Sequence, residues 1–84
     1  MSESDRLTHI TFVEKEPHLL LPGEVTYASK HQTWFIGCPG CAGLGSLAGH
    51  EVTYKATGEL TASPSILCGC GAHYFVERNQ IRWV

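Results

Sequence analysis

The sequence has no apolar run approaching the ~18 residues of a membrane span or the hydrophobic stretch of a signal peptide, which excludes both readings and leaves a soluble, unexported, cytoplasmic protein as the expectation. It also has no internal repeat, no low-complexity linker and no block of like charge, so nothing divides its 84 residues into more than one domain. Charged residues are only 17% of the chain and the net charge is -2, with lysines and arginines scattered singly. That distribution lacks the basic face that phosphate backbones require, and a nucleic-acid partner is not expected.

Helical periodicity is equally scarce. Apolar spacing at three and four residues is hard to find, whereas short β-branched or aromatic runs recur: Ile10 to Val13, Glu24 to Tyr27, Gln32 to Ile36, Glu51 to Lys55, Ser65 to Leu67, Tyr74 to Val76 and Ile81 to Val84. Turn chemistry separates them. Pro22-Gly23 suits the centre of a type II turn, Thr57-Gly58 a hairpin reversal, and Arg78-Asn79-Gln80 a tight turn. The expected fold is a small, mostly antiparallel β domain over residues 8–84, behind a disordered polar tail over 1–7. Trp34, Phe35, Tyr54, Phe75 and Trp83 read as core and sheet-face residues, without a binding role.

A chain this short seldom gains more than roughly 3–5 kcal/mol from its core alone, so a staple is expected. Four cysteines supply a candidate, in two close pairs: Cys38-Pro39-Gly40-Cys41 and Cys68-Gly69-Cys70. In a reducing compartment such clusters serve more often as ligands or catalysts than as disulfides. Two turns presenting paired thiolates match a tetrahedral zinc ion held by Cys38, Cys41, Cys68 and Cys70. Cys38-Pro39-Gly40-Cys41 also resembles a thiol redox motif, but that chemistry wants a helix after the first cysteine, and Ala42-Gly43-Leu44-Gly45-Ser46 is a poor helix. The glycine-rich stretch from Gly37 to Gly49 lacks the Gly-Lys-Ser/Thr ending of a phosphate loop and reads as backbone bending around a metal. The second pair has one intervening residue, and Cys70-Gly71-Ala72-His73 has ligand spacing of its own, so three cysteines with His73 form an alternative ligand set.

If His73 is not a ligand, a hairpin centred on Gly69 sets it opposite Ser65, within reach of a hydroxyl to imidazole hydrogen bond. A serine beside a neutral histidine is the start of a nucleophilic site. A one-residue slip would put the two on opposite faces, and a serine after proline is often only a turn residue. Glu14 shares strand parity with Ile10 and Phe12 and is the candidate third member, unless the strand ends at Val13 and leaves it solvated. His9, His18, His31 and His50 show no ligand spacing and read as surface residues.

Several segments taken in order carry a family likeness: Phe12-Val13-Glu14 followed by Pro17, Leu21-Pro22-Gly23 with Tyr27-Ala28-Ser29, the knuckle from Cys38 to Gly43, Ser63-Pro64-Ser65-Ile66, Ala72-His73-Tyr74-Phe75 and the closing Ile81-Arg82-Trp83. From about Phe12 onward the chain resembles a family of small bacterial and phage proteins catalogued as domain of unknown function family 6527. The resemblance implies a zinc-bound β domain, with some relatives peptidase-like and linked to bacterial ubiquitin-like conjugation systems. It implies Ser65 as nucleophile, His73 as general base and Glu14 as orienting acid. Relatives crowd three alternating cysteines into the first knuckle and keep one before the histidine, whereas this chain divides them two and two. The unchanged total favours the four-cysteine set and frees His73 for chemistry.

Two functions are therefore expected to compete. One is a serine hydrolase acting on protein conjugates, with zinc structural and backbone amides near Gly69 and Gly71 as oxyanion donors. The other is a non-catalytic zinc-ribbon module that binds a protein partner.

Overall fold

Turns with left-handed residues at their centres set the path of the chain. At Leu21-Pro22-Gly23-Glu24 the Glu24 amide donates to the Leu21 carbonyl (3.0 Å) and Gly23 has φ +81°, a type II turn built as its Pro-Gly centre demands. Arg78 and Asn79 both have positive φ, which makes the two-residue link between Glu77 and Gln80 a type I′ turn, the kind whose twist suits a hairpin. Asn79 is anchored through its side chain, which accepts from the Leu60 amide and donates to the Gly58 carbonyl, both at 2.8 Å.

The computed structural model describes residues 7–84, and they form two four-stranded sheets. The first contains β1 (Thr11–Phe12), β2 (Glu24–Ala28), β3 (Thr33–Gly37) and β4 (Leu44–Ser46) in that order; the second contains β5 (Glu51–Tyr54), β6 (Leu60–Leu67), β7 (His73–Glu77) and β8 (Gln80–Trp83). A single 3-10 turn at Pro17–Leu19 is the one helical element among the described residues. All pairings are antiparallel except β1 with β2, which is parallel. The parallel pair follows from the crossover between Phe12 and Glu24, which returns the chain in its original direction. The chain around Thr8 to Ile10 joins the sheets: Ile10 donates to the Asn79 carbonyl and Ile81 to the Thr8 carbonyl, each at 2.8 Å. The disordered tail expected over 1–7 lies outside the described residues except for Leu7, whose carbonyl accepts the Trp83 indole N–H at 2.8 Å.

One face of each sheet supplies the core: Ile10, Val25, Ile36 and Leu47 meet Leu60, Ala62, Ile66, Tyr74, Val76 and Ile81. Burying a side chain of this size contributes about 1.5–3 kcal/mol, and there are few of them. Of the aromatic residues expected in the core and on sheet faces, Trp34 and Trp83 pack against the core half-buried, Phe35 and Phe75 are half-buried and Tyr54 is exposed, while the fully buried aromatic among the described residues is Tyr74. Phe12, Trp34 and Tyr54 cluster, with Phe12 and Tyr54 ring centroids 5.2 Å apart. Among the described residues no helix is long and apolar enough to cross a membrane.

Candidate active site and metal centre

The two cysteine pairs lie on different sheets. Cys38 and Cys41 occupy the connection between β3 and β4, Cys68 and Cys70 that between β6 and β7. The two turns are built alike. Cys38 donates to the Gly43 carbonyl (2.8 Å) and its own carbonyl accepts from Ala42 (2.9 Å); Cys68 donates to the Ala72 carbonyl (2.8 Å) and accepts from Gly71 (2.9 Å). In both, the residue after the second cysteine is left-handed, Ala42 at φ +64° and Gly71 at φ +96°.

These turns bring the four sulfurs within 4.8 Å of one another. Cys38 Sγ is 3.7 Å from Cys70 Sγ, and Cys41 Sγ is 3.6 Å from Cys68 Sγ. A disulfide needs about 2.05 Å, whereas the edge of a tetrahedron of sulfurs about 2.3 Å from its centre is about 3.8 Å. The spacing therefore fits a metal ion and not a bridge. Gly40 donates its amide to Cys38 Sγ (3.3 Å) and Gly43 to Cys41 Sγ (3.4 Å), stabilising the thiolate form a metal requires. A Cβ on Gly40 would sit 3.4 Å from Cys70 Sγ and 3.0 Å from the Ala72 methyl, so only glycine leaves the cluster its room. Burial pushes the Cys38 thiol up to about 12, while the Cys70 backbone N–H, foremost, holds Cys68 down at about 7. No helix follows Cys38, as the redox reading would need; the chain passes instead into β4.

His73 does not join the sulfurs. Its Nε2 lies 2.8 Å from Ser65 Oγ, and both residues are half-buried. The contact arises from a register other than the expected one. Leu67 pairs with His73 and Ile66 with Tyr74, so the hairpin is centred on Cys70 and not on Gly69. The difference has a local cause. Farther along, Ala62 pairs with Val76, and between the two registers Ser63, Pro64 and Ser65 lie against Phe75 alone. Pro64, preceded by a cis peptide, has no N–H to complete the ladder there. Two extra residues leave the alternation of faces intact, so Ser65 stays on the face of Leu67 and His73. It is a diagonal neighbour of His73, and the imidazole spans the added distance.

Glu14 is not brought to this pair. It lies exposed beyond β1, in a shallow groove with Phe12, Lys15, Glu16, Leu19, Thr26 and Tyr27, and its carboxylate bonds to none of the described residues. The Gly71 amide, expected as an oxyanion donor, is committed to the Cys68 carbonyl. Sequence reasoning also set His50 on the surface. It is half-buried, its Nε2 lies 3.2 Å from the Ser65 carbonyl oxygen, and its Nδ1 is buried with no partner among the described residues. Fifteen residues separate His50 from Ser65, and no local spacing signals that contact.

With the imidazole of His73 neutral and its proton on Nδ1, the Ser65 hydroxyl donates to Nε2, the arrangement in which a serine can be activated as a nucleophile. On the same sheet face a second shallow groove is lined by Thr61, Ser63, Phe75, Glu77, Arg78 and Arg82, with the Arg82 guanidinium 4.7 Å from the Phe75 ring centroid. Among curated proteins and among solved structures nothing matches the chain. A family model described as bacterial ubiquitination-like system serine protease (BubE) matches residues 12–84, and the chain belongs to that family.

Proposed function

We propose that this protein is a serine peptidase that cleaves a protein conjugate of a ubiquitination-like system, with Ser65 as nucleophile, His73 as general base and zinc as a structural staple. The observation that carries the reading is the 2.8 Å contact between Ser65 Oγ and His73 Nε2 in a chain of this family. Ser65 Oγ attacks the scissile carbonyl carbon as its proton passes to His73 Nε2. The tetrahedral intermediate collapses, the bond to the leaving group breaks, and His73 returns the proton to the departing amine or alcohol. Water, deprotonated by His73, then attacks the acyl-Ser65 ester and frees the carboxylate product and the serine. The reacting pair is taken as Ser65 and His73 alone, since Glu14 bonds to neither.

Cys38, Cys41, Cys68 and Cys70 would hold the zinc, and four thiolates with tetrahedral spacing suit an ion of that softness and geometry. Bound there, zinc would supply a cross-link between the sheets, with the four thiolates of Cys38, Cys41, Cys68 and Cys70 taking the places that water or substrate would need. A serine-directed fluorophosphonate probe tests the proposal. It is expected to label the wild type, and labelling is expected to vanish in Ser65→Ala and in His73→Ala while metal content and melting temperature hold. Absence of labelling across pH ~6 to 9, or labelling that survives in Ser65→Ala, would leave the protein-binding module as the better account.

A further inference from the structure

We infer that His50 is a positioning residue that fixes the backbone of the nucleophile, an inference that rests on Ser65 being that nucleophile. Ser65 sits where β6 has lost its regular ladder, in the three-residue segment that faces Phe75. Support from the other side ends as well, because β5 begins at Glu51, whose partner is Ser63. His50 is the residue just before β5. It is held by its own amide, which donates to the Leu47 carbonyl at 3.0 Å, and its side chain reaches the Ser65 carbonyl that β5 is too short to meet.

The chemistry of the two ring nitrogens says which way this contact runs. A carbonyl oxygen only accepts, so His50 Nε2 carries a proton and donates. Nδ1, buried with no partner, is then the bare nitrogen of a neutral ring, since a proton there would be a buried donor without an acceptor. Leaving even the lone pair unmatched costs stability, and a side chain present only to fill space would avoid that cost. Ser65 is thus held between two imidazoles in opposite tautomers. His73 accepts from its hydroxyl, and His50 donates to its carbonyl. Fixing the carbonyl fixes ψ of Ser65 within an irregular segment, and with it the direction from which Oγ meets both His73 and substrate. Misplacement of a reacting group by about 1 Å can cost ~100-fold in rate.

The test measures the second-order rate of fluorophosphonate labelling in His50→Phe, which keeps the ring and loses the donor, and in His50→Gln, which restores an N–H. His50→Phe is expected to label ~10- to 100-fold more slowly than wild type, with metal content unchanged, and His50→Gln to recover most of the loss. Equal rates in His50→Phe and wild type would overturn the inference. So would a His50→Gln protein as slow as His50→Phe, because that pattern reports packing and not donation. A readout independent of catalysis comes from the ring-nitrogen NMR of the wild type. His50 is expected to be protonated on Nε2 and bare on Nδ1; the reverse would sink the inference even if His50→Phe failed to fold. A wild type that does not label while showing the expected His50 tautomer would count against Ser65 as nucleophile and leave the His50 bond standing.

Discussion

Ser65 and His73 are hydrogen-bonded at 2.8 Å although neither is the other's partner across the hairpin. The pairing residue of His73 is Leu67, and Ser65 stands two residues farther along the same face. This diagonal contact depends on both ends of the hairpin. At one end the extra residues between Ala62 and Ile66 give Ser65 its place; at the other, the turn carrying Cys68 and Cys70 sets the register.

If Ser65 and His73 act as proposed, that dependence would make a metal held by the four cysteines a determinant of activity without contact with substrate. Cys68 is three residues after Ser65 and Cys70 three before His73, while Cys38 and Cys41 tie the same turn to the other sheet. Chelating the metal is expected to abolish fluorophosphonate labelling and lower the melting temperature by more than ~20 °C, since ~1 kcal/mol is worth about 4–8 °C in a domain of this size and structural zinc contributes several times that. One equivalent of zinc should restore both. Full labelling of metal-free protein would separate the staple from the site.

Metal uptake should depend on pH with a sign fixed by the thiols. The metal binds thiolates, so any thiol protonated in the metal-free protein must release its proton on binding. Cys38, pushed up to about 12, is protonated throughout the neutral range, and affinity should fall as pH falls. Cys41, despite the Gly43 amide, is also raised, by its hydrogen bond with Cys68, and releases a second proton; Cys68, near 7, is mostly thiolate above neutrality and protonates below it, adding a further one. A competitive chelator titration between pH ~6 and ~8.5 is expected to show affinity dropping by about a hundredfold per pH unit, and more steeply below about 7. Affinity independent of pH would contradict these protonation states.

The two cysteine turns carry a built-in comparison. Ala42 and Gly71 hold the same left-handed place after the second cysteine of each pair, and only glycine adopts it without steric cost. Nothing lies within 4 Å of a Cβ built on Gly71, so Gly71→Ala reports backbone conformation alone and is expected to destabilise by about 1 kcal/mol. Ala42→Gly relieves the strain but frees the unfolded chain, and should be neutral to stabilising by up to ~1 kcal/mol. Denaturant melts of the zinc-loaded protein check both, and a stabilising Gly71→Ala would contradict the conformation described.

Much of the fold was legible because its signals are local. The β-branched and aromatic runs at Glu24 to Tyr27, Gln32 to Ile36, Glu51 to Lys55 and Tyr74 to Val76 became β2, β3, β5 and β7, and Pro22-Gly23 formed its expected turn. Strand β4 was missed because Leu44-Gly45-Ser46 has little strand propensity. Its place is set by pairing with β3, where a Cβ on Gly45 would come within 3.2 Å of the Ile36 side chain. The cysteine cluster was legible because ligand spacing follows the chemistry of the ion. Ser65 and His73 were correctly set on one face but by the wrong register, since a loop hydrogen bond and two extra residues decide it. His50 escaped notice because its partner is a backbone atom in another strand.

Glu14 gives the sharpest remaining contrast between the resemblance and the geometry. An acid that orients the catalytic base of a serine triad is bonded to that base, and its loss costs about 10⁴-fold in kcat. The Glu14 carboxylate is exposed and bonds to none of the described residues, which is the condition of a solvated surface acid. Glu14→Gln is therefore expected to change the labelling rate by less than about threefold, the range of an ordinary surface substitution, against complete loss in Ser65→Ala. A drop of a hundredfold or more with an unchanged melting temperature would show that the segment after β1 moves to deliver Glu14 to His73, and a triad would replace the pair.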